Sequence, residues 1–417
     1  MSIPTSASPS LDDLTAVTTR LSVATAVLCF LVILLDGYDT AVVAFAAPTL
    51  AHDWGLAAAA FTPAFVATSL GAVIGYVSCG ALTARFGHRR VIVASVVTFA
   101  LLTFATILVR SIPALTVLRL ATALGLGGAI PTAIALASDH APPRWREMTA
   151  AVVTVAIIFG GTLGGMAAVP LLHHFGWPAL FVVGALLPLA LAPALGTWLP
   201  DRPRPPVPSG STGGSVAVLF QAGLALPTAL LWAMAFLTFM QSYTFTYWLP
   251  LLLTSFGFGR ATAALGNTYI GSGAIAGVVL MVLLVRFVGS ARYLAIAFAV
   301  GTCFVLLLAL GGLPAGWIPA LLFLIGAGLG IGGVGQAAIG AMLYPTSLRT
   351  TGIGWSSAAG RLGSILGPAI AGAFLGLHWQ ARSVIAAAAV PALLSAAAAA
   401  AIFVVSQRRP DRSIPHG

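Results

Sequence analysis

Apolar runs long enough to cross a bilayer recur twelve times along this 417-residue chain. A spanning helix needs about 20 mostly apolar residues. The runs cover residues 21–49, 58–83, 90–110, 113–138, 148–172, 178–199, 223–253, 262–285, 292–312, 317–343, 350–376 and 382–406. They are continuous rather than alternating in polarity, which argues against a transmembrane barrel. Charged residues make up 7% of the chain and apolar ones 59%. A soluble domain carries roughly 25% charged residues, so lipid must face most of the outer surface here. The expected fold is an all-α membrane protein with twelve transmembrane helices.

The formal charge of +10 comes entirely from Arg, with no Lys in the chain. Fourteen of the 19 basic residues fall at the termini or in even-numbered loops: Arg20, Arg85, Arg89, Arg90, Arg144, Arg146, Arg202, Arg204, Arg286, Arg292, Arg349, Arg408, Arg409 and Arg412. Arg110, Arg260 and Arg382 fall in odd-numbered loops, and Arg119 and Arg361 lie inside apolar runs. By the positive-inside rule both termini are expected in the cytoplasm of a bacterial inner membrane. Topology thus accounts for the basic balance without a nucleic-acid partner. The first 19 residues are polar and hold Asp12 and Asp13, with no basic stretch or cleavage site of a signal peptide. Cys29, Cys79 and Cys303 each sit alone in an apolar run and read as structural thiols.

Pro200 to Gly214 is rich in Pro, Gly and Ser and reads as a linker. It divides the chain into a tail (1–20), a six-helix bundle (21–199), a cytoplasmic linker (200–222), a second bundle (223–406) and a final tail (407–417). The two halves share a series of matches at an offset of 201 to 203 residues. Arg85-Phe86 matches Arg286-Phe287, Arg90 matches Arg292, and Gly125 and Gly127 match Gly328 and Gly330. Gly160 and Gly164 match Gly363 and Gly367, and Pro188 matches Pro391. Duplicated halves are a transporter plan in which the substrate site lies between them near mid-membrane.

Ionisable residues inside the membrane cost roughly 2.5–3.5 kcal/mol each on insertion scales and usually face a cavity or a partner. Asp36 and Asp39 lie in the first run, Arg119 in the fourth and Arg361 in the eleventh, with Asp139 at the inner end of the fourth. Counted at 1.5 Å per residue from Thr350, Arg361 lies about 17 Å along its helix, near the centre of a ~30 Å hydrocarbon core. Asp36 is at a similar depth and Arg119 is shallower. Asp36 and Asp39 are three apart and share a helix face, where two carboxylates resist double ionisation. That suits a proton carrier; alternatively the pair neutralises the buried arginines. None of the seven histidines lies at mid-membrane. Proton coupling, if present, therefore falls to Asp36 and Asp39, with Asp139 next.

Ser357, Arg361 and Ser364 form one helical stripe that fits the wall of a carboxylate site, because guanidinium pairs bidentately with carboxylate. A structural Arg361 paired to Asp36 or Asp39 is the alternative. In the seventh run, Gln241, Thr244, Phe245 and Trp248 share one face and Tyr243 and Tyr247 another. The first face offers amide and aromatic groups to an aromatic ring, although Tyr247 and Trp248 could equally belong to an interfacial belt. The glycine clusters at 125–128, 160–165 and 326–335 permit close helix packing and are not phosphate loops. No metal or cofactor motif is present, and no soluble domain is large enough to hydrolyse ATP.

The loop Gly80-Ala-Leu-Thr-Ala84-Arg85-Phe-Gly87-His88-Arg89-Arg90 resembles the signature loop of the major facilitator superfamily, and Arg119 followed by Gly125 and Gly127 resembles its helix-4 motif. Asp36-Gly37-Tyr38-Asp39-Thr40 resembles the first-helix motif of the aromatic acid:proton symporters. So does the stretch from Tyr344-Pro345-Thr346 through Trp355 and Gly360-Arg361 to Gly367-Pro368. The resemblance implies two pseudo-symmetric six-helix bundles, and an Asp pair required for transport. It also implies that Arg119 and Arg361 are linked to substrate or proton, and that Gly80, Arg85, Gly87, Arg89 and Arg90 form a cytoplasmic gate motif. Tyr38, Gln241, Phe245, Trp355, Ser357 and Ser364 complete the expected substrate-binding set. Ala84 stands where the signature loop usually has Asp, Ala123 where the helix-4 motif usually has Gly, and His88 where Arg is usual.

These readings converge on a monomeric secondary transporter, not an enzyme, that imports an aromatic carboxylate with protons by alternating access. A drug:proton antiporter of the same fold and a non-transporting sensor of aromatic acids are the alternatives. Which ring substituents the site accepts is not legible in the sequence.

Overall fold

A computed structural model describes residues 11–200, 216–221, 223–311 and 314–407. The expected linker falls mostly on 201–215, outside the described residues, as do the outer parts of both tails. Twelve apolar helices long enough to span a membrane are present among the described residues. They are α1 (Ser22–Asp53), α2 (Ala58–Phe86), α3 (His88–Leu108), α4 (Ile112–His140), α5 (Arg146–Phe175) and α6 (Pro178–Trp198). The second set is α7 (Ala225–Thr254), α8 (Thr262–Val288), α9 (Ser290–Leu310), α10 (Ala315–Leu343), α11 (Thr351–Gly376) and α12 (Ala381–Gln407). Helix continues N-terminal to the apolar span as far as Leu11, within the stretch expected as a tail.

Helix partners repeat with a period of six. In the first half α1 packs on α5, α2 on α4 and α3 on α6; in the second, α7 packs on α11, α8 on α10 and α9 on α12. Glycine sets these approaches, because lipid gives no hydrophobic drive between helices and close backbone contact must supply the attraction. A Cβ added at Gly71 or Gly75 would strike the backbone of Leu120 or Leu124 on α4. At the matching positions Gly273 and Gly277, 202 residues on, it would strike Phe323 or Ala327 on α10. Gly160 meets Leu34 of α1 and its counterpart Gly363 meets Phe236 of α7 in the same way. Gly87 and Gly289 both take φ +81° in the sharp turns after α2 and α8, a conformation that favours glycine.

Two helices expected to be continuous are broken at matching glycines. The helix of α4 stops at Gly127 and restarts at Ala129; that of α10 stops at Leu329, and a new turn begins at Gly332. Glycine is the weakest non-proline helix former and lets neighbouring helices override local continuity.

Contacts between the halves run through α1–α7, α2–α11 and α5–α8. The named contacts lie toward the side away from the α1 start and the α12 end. Phe65 stacks on Tyr247 with ring centres 5.0 Å apart and meets Trp248 edge-on at 5.0 Å. The Thr268 hydroxyl donates to the Thr162 carbonyl at 3.0 Å, and the Thr62 side chain sits against Gly372. Toward the opposite, terminal side, a Cβ on Gly80 of α2 or Gly354 of α11 would meet nothing within 4 Å.

Candidate functional site

The D-G-Y-D motif of α1 is held by its two middle residues. Gly37 lets the α1 backbone lie against Ile157 of α5. The Tyr38 hydroxyl donates to the Leu180 carbonyl at 2.8 Å, and its ring wedges between Gly164 and Gly184. Tyr38, expected in the substrate site, is therefore committed to fastening α1 to α5 and α6. Locked in this way, α1 turns Asp36 and Asp39 into the protein interior.

Asp39 and Arg119 form a closed network. Arg119 Nη2 lies 2.9 Å from Asp39 Oδ2 and Nη1 lies 3.3 Å from Oδ1, while Nη2 also donates to the Asp39 carbonyl at 2.9 Å. Thr103 Oγ1 donates to Asp39 Oδ1 at 2.8 Å, and Arg119 Nε donates to Thr68 Oγ1 at 3.3 Å. Both charged residues are fully buried. Helices α1, α2, α3 and α4 are thereby joined through one neutral pair, the arrangement that removes most of the desolvation cost of either ion.

Asp36 has a different environment. It is 3% exposed, and its Oδ2 has no hydrogen-bond partner among the described residues. It lines a cavity together with Ser69, Tyr243, Tyr247, Arg361 and Ser364, so residues of α1, α2, α7 and α11 meet there. Arg361 reaches this cavity from the second half. Its Nη1 donates to the Tyr243 hydroxyl at 3.3 Å, and its guanidinium stacks over Tyr76 at 5.0 Å and Phe239 at 5.9 Å. Among the described residues no carboxylate lies within 4.0 Å of it, whereas Arg119 is saturated. With its centre over two ring faces and one donor given to Tyr243, the guanidinium keeps further donors with which a planar fork can pair a carboxylate. In this conformation the free space among these side chains holds only about a water-sized group, so an aromatic ring requires side chains or helices to move.

The other expected site residues scatter. Ser364 lines the cavity, with its hydroxyl donating to the Arg361 carbonyl at 2.7 Å. Ser357 accepts instead from Gln336 Nε2 at 2.9 Å. Trp355 is 45% exposed and stacks on Trp232, away from the cavity. Gln241 and Phe245 are buried but do not line it. Their face of α7 turns into the second half, where Trp248 Nε1 donates to the Pro368 carbonyl at 3.0 Å. The Tyr243–Tyr247 face is the one that meets the cavity, and both Tyr247 and Trp248 are too deeply buried for an interfacial belt. Asp139, expected as the next most buried acid, is corrected: it lies exposed at the end of α4. In the gate motif, Arg85 stacks on its neighbour Phe86 at 5.1 Å, matched by Arg286 on Phe287 at 4.5 Å. Ala84, Arg85 and Arg90 are exposed and Arg89 is half-buried. Thr68, Ser69, Tyr76, Thr103 and Phe239 were not anticipated; single hydroxyls and rings in apolar helices carry no spacing signal until a partner helix is known. Among the described residues no group of three or more His, Cys, Asp or Glu could hold a metal ion.

The model of the Major Facilitator Superfamily matches residues 29–355. The chain is 34% identical to a gallate transporter of Pseudomonas putida, over 84% of this chain and 85% of that protein. It is 32% identical to the 4-hydroxybenzoate transporter PcaK of Pseudomonas putida, over 86% and 88% respectively. The nucleoside transporter NupG shares the fold at a TM-score of 0.70 and 14% identity, covering 92% of this chain and 99% of that one.

Proposed function

This chain belongs to the major facilitator superfamily, alongside aromatic acid transporters, and we propose that it imports an aromatic carboxylate together with protons by alternating access. It is a multi-pass membrane protein and a transporter rather than an enzyme. The observation that carries the finer reading is the pairing of two unsatisfied groups in one cavity between the halves. Arg361 has no carboxylate within 4.0 Å, and Asp36 Oδ2 has no hydrogen-bond partner among the described residues.

Charge balance links these two groups into a cycle. Asp39 and Arg119 cancel. In the empty carrier an ionised Asp36 balances Arg361 across the cavity. A substrate carboxylate that docks on Arg361 would place a second anion beside Asp36. Two anions in a poorly solvated space repel, so binding favours the protonated form of Asp36. Proton and anion then load together and leave together. The gain is concrete: an anion entering a negative-inside cell works against about 2.3 kcal/mol per 100 mV, which one proton offsets. An unpaired guanidinium also disfavours the cations that a drug:proton antiporter carries.

The arginine distribution supports cytoplasmic termini in a bacterial inner membrane. With that orientation the sealed side, where Phe65 meets Tyr247 and Trp248, faces the periplasm, and the conformation described is inward-facing. Rocking of the halves about the Asp36–Arg361 cavity would expose it alternately to each side.

Binding of an acid and its amide to purified protein tests the reading. Thermal stabilisation by 4-hydroxybenzoate is expected, with the amide weaker by about 1.5–3 kcal/mol, the worth of hydrogen bonds to a charged group. On Arg361→Ala the acid should lose that advantage, and Arg361→Lys should fall between, because a point charge replaces a planar fork. Equal binding of acid and amide to the unmodified protein would reject the carboxylate pairing.

A further inference from the structure

In the first half the Tyr38 ring of α1 fills a slot between Gly164 of α5 and Gly184 of α6, where a Cβ on either glycine would strike it. The repeat carries this slot to α7, α11 and α12. Met240 stands 202 residues after Tyr38, and Gly367 and Ala387 stand 203 after Gly164 and Gly184. Packing supports the register: a Cβ on Gly160 would meet the Tyr38 nitrogen, and one on its counterpart Gly363 the Met240 nitrogen, each at 2.9 Å. In the second half the slot stays open. Met240, Gly367 and Ala387 all line one crevice, together with Thr244, Phe374 and Pro391.

Helix α12 is interrupted beside this crevice. It stops at Ala387 and restarts at Ala389, and Pro391 has no N–H to donate to the Ala387 carbonyl. Pro188 holds the matching place in α6, yet that helix runs unbroken from Pro178 to Trp198 beside the Tyr38 ring. The crevice walls lack partner atoms on one side and forfeit those contacts unless something enters.

The lining says what can enter. Thr244 donates its hydroxyl to the Met240 carbonyl at 2.8 Å, and among the described residues no charged side chain lines the crevice. A carboxylate would find no partner there. Ile370, the one exposed residue of the lining, is nine residues or about two and a half turns past Arg361, so it lies on the opposite face of α11. It extends the exposed apolar stripe of Leu362 and Leu366 in a membrane-spanning helix. The crevice thus opens to lipid, away from the central cavity. Its wall on α12 runs from Val384 to Pro391, about 10 Å along the axis, which suits a chain.

We propose that this crevice holds a phospholipid acyl chain, which enters from the bilayer beside Ile370 and takes the place that the Tyr38 ring fills in the first half. Moving a chain out of the bilayer gives no hydrophobic gain, so contact with the bare walls drives binding. The bound chain props α12 against α7 and α11, the helix that carries Arg361. The site is independent of which solute the protein carries.

The test is the melting temperature of the purified full-length protein in a steroid-based detergent, whose fused rings do not fit a narrow crevice. Dioleoyl phosphatidylethanolamine should raise it by several degrees, and the chain-free headgroup glycerophosphoethanolamine should not. Met240→Tyr combined with Ala387→Gly rebuilds the first-half slot and should gain less than half of that rise. Ala371→Leu, which fills the crevice from α11, should show the same reduced gain. Equal lipid gains in the unmodified protein and both filled variants would overturn the site, because lipid would then act on the outer belt alone. No gain in the unmodified protein would mean a dry void and overturn it too, as would an equal gain from the headgroup. Native mass spectrometry needs no variant: a phospholipid should stay bound to the unmodified protein after detergent washing, and loss of all lipid would contradict the proposal.

Discussion

Asp36 and Asp39 are one helical turn apart, yet they have opposite surroundings. Asp39 receives hydrogen bonds from Arg119 and Thr103 in a fully buried network. Asp36 keeps an oxygen without a partner. Losing one member of a buried ion pair costs about 3–5 kcal/mol, because the other charge is left unmatched. Asp39→Asn is therefore expected to lower the melting temperature of the purified protein by several degrees. Adding Arg119→Gln should recover part of the loss, and Asp36→Asn should leave the melting temperature nearly unchanged. Equal melting temperatures for Asp39→Asn and the unmodified protein would show that the pair does not hold the four helices together. The sequence alone marked both carboxylates and both arginines, because charge in an apolar run is conspicuous. It did not separate the paired acid from the unpaired one, since three-residue spacing places both on one face and says nothing of what opposes each. The seventh helix shows the same limit. Its two polar faces look alike in sequence, and only the packing of Trp248 against Pro368 turns Tyr243 and Tyr247 toward the cavity.

At the scale of elements, glycine decides how closely the helices pass. The twelve spans were legible because apolar length is a strong signal, and the repeat because matched glycines occur at nearly one offset. The packing role of Gly71 and Gly75, with Gly273 and Gly277, was not legible. A glycine in an apolar helix looks the same whether it faces lipid or a neighbouring backbone. The breaks in α4 and α10 were hidden for a related reason: both fall where tertiary contact overrides continuity. Gly160→Val should push α1 from α5 and destabilise the protein by about 1–3 kcal/mol, the usual cost of overpacking. Gly363→Val should do the same between α7 and α11. Gly80→Ala, with open space around it, should melt like the unmodified protein. Thermal unfolding in one detergent compares the three. A larger loss for Gly80→Ala than for Gly160→Val would contradict the packing described.

Across the whole molecule, the named contacts between the halves gather on one side, and open space surrounds Gly80 and Gly354 on the other. Ala84 is exposed on that open side, close in sequence to Gly80. A carboxylate there would add a negative charge beside Arg85, Arg89 and Arg90 in the loop that resembles the superfamily's signature. Ala84→Asp is thus expected to shift the resting population toward the opposite conformation. In a background without Cys29, Cys79 and Cys303, a Thr62→Cys reporter against Gly372 should be labelled faster when Ala84→Asp is added. An unchanged labelling rate would mean that the loop does not bias the equilibrium.

The central claim is that Asp36 carries the proton that accompanies the anion held by Arg361. The most direct measurement is uptake of radiolabelled 4-hydroxybenzoate into proteoliposomes with an acid exterior, alongside exchange at equal pH. Wild-type protein should accumulate the acid above equilibrium under the pH gradient. Asp36→Asn should abolish that accumulation yet retain exchange, because exchange returns a loaded carrier and releases no proton. Gradient-driven accumulation by Asp36→Asn equal to wild type would contradict the account.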